Sequence, residues 1–194
     1  AFVQLSGVLN LIASKLSKTC NDLRLLASGP RAGLNEIRLP PRAAGSSIMP
    51  GKVNPVIPEV VNQIAFEVIG NDVTITMAAE AGQLQLNAFE PIIAHSLFKS
   101  VEHLAAGCRT LTAHCVVGIT ANKELLAERV RTSAGLATAL NPYLGYENAT
   151  RIAQEALRTG RGVAELVEEM GLMSREELES VLRPEVLKAP RQIA

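Results

Sequence analysis

The chain has no tryptophan, and aromatic residues make up only 3% of its 194 positions. That scarcity excludes the aromatic platforms on which single-stranded nucleic acids stack. Charge of one sign is equally lacking: 19 Lys and Arg stand against 19 Asp and Glu. Without a basic surplus there is nothing to hold a phosphate backbone, so nucleic acid is not an expected partner. Cysteine is sparse, and Cys20, Cys108 and Cys115 form no C-x-x-C pair and leave one over in any pairing. A disulfide scaffold is thereby excluded, and a reduced, cytoplasmic setting with the thiols as small apolar groups is expected. No apolar run reaches the roughly 18 residues of a membrane span, and no signal peptide is recognisable. An initiating Met is also lacking, and the helical pattern is already running at Ala1. Further chain upstream is therefore expected.

Hydrophobic residues amount to 47%, enough to bury a core. Their spacing is helical. Leu5, Leu9, Ile12, Leu16, Leu23 and Leu26 recur in alternating four- and three-residue steps, with Thr19 in the remaining slot, and Ser28-Gly29-Pro30 stops the run. A second segment places Ile57, Val61, Ile64, Val68 and Ile75 in the same rhythm, with Asn71 at an apolar step. Gly70-Asn71-Asp72 is expected to bend this helix rather than end it. A third runs from about Pro91 to Val117 through Leu97, Val101, Leu104, Cys108, Leu111 and Cys115. Three long helices of one period predict an all-α fold, a long-helix bundle over residues 1–122. Residues 123–194 carry shorter helices punctuated by Asn141-Pro142, Gly145, Gly160, Gly162 and Gly171, and predict a small helical C-terminal domain. Ser174, with Glu177 three positions on, predicts a capping box. No β-alternation is persuasive anywhere.

The connection between the first two helices is too long for a simple turn, which marks it as functional or disordered. Within its part at residues 40–55 stands Gly45-Ser46-Ser47-Ile48-Met49-Pro50-Gly51-Lys52-Val53-Asn54-Pro55. Serine hydroxyls on a glycine-flanked backbone, the N–H groups of Ser47, Ile48 and Met49, and the Lys52 ammonium together suit a small carboxylate and the charge developing on it. By residue type alone, a solvated Gly/Ser/Pro connector with an incidental lysine is the simpler account. His95, His103 and His114 have no carboxylates spaced about them as a metal set, and read as surface or packed histidines.

These eleven residues match, without a gap, the pattern Gly-Ser-Ser-x-Met-Pro-x-Lys-x-Asn-Pro, and so resemble the signature of the aspartase/fumarase superfamily. The resemblance continues through residues 20–33, 118–122 and 140–142. It implies a homotetramer whose central helical bundle takes in the first three helices, with each active site shared among protomers. It implies anti elimination across a carbon–carbon bond to release fumarate. Ser46 would be the general base that removes the C3 proton. Gly45, Ser47, Ile48 and Met49 would support the loop and the oxyanion, each such donor contributing about 3–4 kcal/mol where it has been removed elsewhere. Lys52 and Asn54 would bind substrate carboxylate. Glu59 would orient a histidine that none of the three here can supply. No organic cofactor is implied. Some members of the family respond to a divalent metal, for which this sequence shows no ligands.

Within the superfamily, Val56-Ile57-Pro58-Glu59 and the run Gln83-Leu84-Gln85-Leu86-Asn87 resemble the aspartase branch, which acts on an amino-acid substrate. Pro50-Gly51-Lys52 and residues 114–118 are also similar to the class II fumarase branch, which stays as the alternative. A second alternative is a non-catalytic helical assembly fragment. The 194 residues alone are expected to be inactive.

Overall fold

The computed structural model describes residues 1–43, 45, 48, 49 and 51–188. The chain divides into two compact units, Ala1–Asn122 and Lys123–Ala194.

The first unit is built on three helices of 25 residues, α1 (Phe2–Leu26), α2 (Val56–Glu80) and α3 (Glu90–His114). Each is about 37 Å long at 1.5 Å per residue. α2 lies against both α1 and α3. The face that α1 buries is made of small side chains, Ser6, Ala13, Ser17 and Cys20. α3 likewise buries Ser96, Ser100 and Gly107 beside Ile93, Leu97, Leu104 and Leu111. Small residues let the backbones approach closely, so the packing seam is turned away from the bulkiest stripe. Leu5, Ile12 and Val101, expected in that seam, are 46%, 41% and 46% exposed. Leu9, Leu16 and Leu23 flank the seam instead, half-buried against it.

Polar rungs tie the three helices in register. Asn62 Nδ2 donates to the Ser17 carbonyl at 3.1 Å and to Ser17 Oγ at 2.9 Å. Farther along α2, Ser6 Oγ and Asn10 Nδ2 donate to the two carboxylate oxygens of Asp72 at 2.5 and 2.7 Å. Asn71 Nδ2 reaches Ser100 Oγ at 3.1 Å on the other side. α2 runs unbroken through Gly70-Asn71-Asp72, whose polar side chains are used for these cross-helix bonds.

The connection after α1 doubles back at once: Asn35 N–H donates to the Ser28 carbonyl at 2.7 Å and Glu36 N–H to the Leu26 carbonyl at 2.9 Å. It then forms β1 (Ile37–Arg38), which pairs antiparallel with β2 (Thr120–Ala121) beyond a 3₁₀ turn at Val116–Gly118. Two-residue strands are too short to show any alternation in sequence, which is why none was expected.

The second unit holds α4 (Lys123–Thr132), α5 (Leu136–Thr159), α6 (Val163–Glu169), α7 (Arg175–Val181) and α8 (Pro184–Lys188). α5 is broken at Gly145, whose φ of 75° and ψ of 160° are not helical. Its core gathers Leu140, Ile152, Val163, Val167 and Leu178 from three of these helices. The capping box at Ser174 is present: Ser174 Oγ accepts from Glu177 N–H at 3.3 Å, and Glu177 Oε2 accepts from Ser174 N–H at 2.9 Å. The described residues are all-α apart from the short β1–β2 pair and isolated bridge positions at Val53, Gln83 and Leu86. No helix among them is long and apolar enough to cross a membrane.

Candidate active site

The reversal after α1 and the start of α2 face each other across an open cleft of about 780 Å³. Its walls include Lys52 and Asn54 from the downstream end of the connection with Glu59 of α2, and Asn35 and Arg38 from the upstream end with Arg24 of α1. Three cations and two amides thus stand against the single carboxylate of Glu59 among the cleft's wall residues. Such a lining favours an anionic ligand.

The loop is closed at its base by backbone and amide bonds. Gly45 N–H donates to the Lys52 carbonyl at 2.6 Å, and Asn54 Nδ2 donates to the Gly45 carbonyl at 3.0 Å. A Cβ on Gly45 would lie 2.8 Å from Asn54 N and 2.9 Å from the Lys52 carbonyl oxygen, so no larger residue fits there. Gly51, at φ 76°, makes the turn that lets Lys52 N–H reach the Met49 carbonyl at 3.3 Å. Ile48 is 87% exposed and Met49 is exposed as well. Ser46 and Ser47 lie outside the described residues.

Lys52 is exposed and makes no ion pair with another described residue. Asn54 is half-buried, and the amide expected to bind substrate carboxylate is engaged with Gly45. Glu59 sits in the first turn of α2, where negative charge suits the helix dipole, and faces Arg24 Nη2 at 4.0 Å. Both partners are more than one-third exposed, so the pair contributes little to stability.

Arg24, Asn35 and Arg38 were not singled out in the sequence. Arg24 lies within the family-like run at residues 20–33, whereas Asn35 and Arg38 lie outside it, and nothing in a linear pattern says that α1's last turn and β1 share a cleft with Lys52. Asn122 completes the arrangement: its N–H donates to the Glu36 carbonyl at 2.9 Å and its Nδ2 to the Asn35 carbonyl at 3.2 Å. A Cβ on Gly118 would lie 2.4 Å from Pro40 Cγ, so this glycine leaves room for the loop's stem. Arg42 Nε donates to the His114 carbonyl at 3.0 Å.

Glu67, Lys99, His103, Cys20 and Cys115 are not among the cleft's wall residues. His103 Nδ1 lies 2.5 Å from Glu67 Oε2, and Lys99 Nζ lies 2.6 Å from Oε1 of the same carboxylate. Lys99 first, and His103 second, hold the Glu67 carboxyl below the usual range. Burial pushes the Cys20 thiol up to about 11 and raises that of Cys115, so neither is a nucleophile near neutrality. Among the described residues no three His, Cys, Asp or Glu side chains gather as a metal site.

Known proteins give this geometry its setting. The Lyase family model matches residues 1–70, and the model described as Fumarase C C-terminus matches residues 136–188. Aspartate ammonia-lyase of Pseudomonas aeruginosa is 62% identical over 193 residues, covering 100% of this chain and 41% of its own length. That of Escherichia coli K12 is 54% identical over 190 residues, covering 98% and 40%. The solved fumarate lyase:delta crystallin from Brucella melitensis bound to cobalt is similar at a TM-score of 0.92 and 53% identity, over 97% of this chain and 41% of that one. A class II fumarase from Schistosoma mansoni matches at 0.88 and 37%, over 98% and 40%. The chain thus spans about 40% of the length of these relatives. Matched by lyase and fumarase family models at its two ends, and more than half identical to aspartate ammonia-lyases along nearly all its length, the chain belongs to the aspartase/fumarase superfamily.

Proposed function

We propose that this chain is the part of an aspartate ammonia-lyase that carries the catalytic loop. The reading rests on 54–63% identity to aspartate ammonia-lyases across nearly the entire chain, the loop and cleft walls included. The reaction is the reversible anti elimination of ammonia from L-aspartate to give fumarate. Ser46 takes the C3 proton; the electron pair left behind is held as an aci-carboxylate, then forms the C2–C3 double bond as the C–N bond breaks. A serine hydroxyl is a weak base, so its alkoxide needs the Lys52 charge and the loop amides around Ser47, Ile48 and Met49. Lys52 and Asn54 bind substrate carboxylate, Asn54 by exchanging its bond to Gly45. Glu59 orients a histidine from elsewhere in the full protein.

The working protein on this reading is a cytoplasmic homotetramer, with sites shared among protomers and no organic cofactor. The exposed apolar stripes of the long helices support assembly, since monomers seldom leave such faces uncovered. The 194 residues alone are expected to show no turnover.

Similarity to a class II fumarase at 37% identity favours a second reading, a malate/fumarate hydratase. Fumarate absorbance with the full-length protein separates the two. Turnover of L-aspartate far above that of L-malate is expected; the reverse preference would replace the ammonia-lyase by the fumarase.

A further inference from the structure

The connection's upstream arm is fastened along its length by the segment that ends α3. Asn122 holds Asn35 and Glu36, β2 holds β1, and Pro40 lies against Gly118. The last fastening is Arg42. α3 leaves its helical path at Cys115, whose φ of −131° and ψ of −67° direct the chain away. A helix end leaves carbonyls without intrahelical partners and concentrates partial negative charge. Cys115 N–H satisfies the Leu111 carbonyl at 3.1 Å. Arg42 supplies the next donors, Nε to the His114 carbonyl at 3.0 Å and Nη2 to the Ala113 carbonyl at 3.5 Å. Only a planar fork reaches two adjacent carbonyls in this way; a lysine ammonium at the same place is a point charge. Three residues later Gly45 begins the closed base that sets Lys52 and Asn54 in the cleft.

We propose that Arg42 is a positioning residue for the catalytic loop: by capping the C-terminal end of α3, it fixes the point from which the loop springs. The inference rests on the lyase reading for its kinetic consequence but not for its structural one. It is tested in the full-length protein with Arg42→Ala and Arg42→Lys, by hydrogen exchange of residues 43–56 and by separate kcat and KM for L-aspartate. In Arg42→Ala the amides of residues 43–56 exchange faster and kcat falls about tenfold, as expected for a small misplacement of reacting groups. KM changes less than kcat, because the substrate-binding groups are retained. Arg42→Lys is intermediate, and added guanidinium restores part of the kcat of the Ala variant, whose vacated site is solvent-exposed, while leaving the parent unaffected. Unchanged exchange in Arg42→Ala, or an unchanged kcat, overturns the proposal. Should the parent not turn over L-aspartate at all, the lyase reading fails, and the exchange rates still decide whether Arg42 holds the loop.

Discussion

Gly45 shows how much geometry a residue without a side chain can set. Its N–H and its carbonyl both close the loop's base, and three atoms crowd the place where a Cβ would stand. Gly45→Ala is therefore expected to break the bonds to Lys52 and Asn54. In the full-length protein we expect kcat for L-aspartate to fall more than about tenfold, with a melting temperature close to the parent's, because the loop adds little to the core. Equal activity in the variant would show that the closed base is not needed. Lys52 and Asn54 were legible in the sequence because they belong to one contiguous pattern, and Glu59 because it stands in the run directly after it. Arg24, Asn35 and Arg38 were not, because their meeting with Lys52 depends on the chain reversing between Leu26 and Glu36. The engagement of Asn54 with Gly45 was also hidden, since residue type alone offers its amide equally to a ligand or to the backbone.

Among elements, the three long helices were readable from period alone, to within a few residues at each end. The face each turns inward was not. Leucine spacing pointed to Leu5 and Ile12, while Ser6, Ala13, Ser17 and Cys20 are what α1 buries. Hydrophobic counting overlooks small polar residues that gain hydrogen bonds when helices close up. Asn62 is the clearest case: it is buried and donates twice to Ser17, while its Oδ1 has no partner. Asn62→Ala is expected to destabilise by about 1–3 kcal/mol, since it leaves buried Ser17 without its donor. Chemical denaturation of parent and variant measures this, and no change would mean the rung carries no net stability. On α2 and α3, Glu67 is paired with Lys99 and His103. Its folded pKa lies below the unfolded one, so its contribution is present above the ordinary carboxyl value of 4.5 and is lost as pH falls through the depressed value. Glu67→Gln should thus lower the melting temperature at neutral pH, and the gap to the parent should narrow on acidification below that value. A gap that does not depend on pH would contradict this assignment.

For the whole molecule, what the helices leave outside matters as much as what they enclose. Phe66, Val73 and Met77 lie seven and four residues apart on the exposed side of α2, and Phe98 and Val101 three apart on that of α3. If the proposed tetramer covers these stripes, Phe98→Asp in the full-length protein should shift it toward smaller species, read by light scattering coupled to size exclusion. A variant that stays tetrameric would place the contact elsewhere. The sequence changes texture after Gly118, where long periods give way to segments set off by glycine, and the chain divides into two compact units after Asn122.

In the proposed mechanism a loop serine takes a proton from C3 of an amino-dicarboxylate beside an ammonium and a row of amide donors. The most direct measurement is the turnover of L-aspartate by full-length protein carrying Ser46→Ala, alongside its circular dichroism and melting temperature. An unaltered fold and a kcat lowered by about 10²–10⁴ are expected. A folded Ser46→Ala variant that releases fumarate at a rate near the parent's would contradict this mechanism.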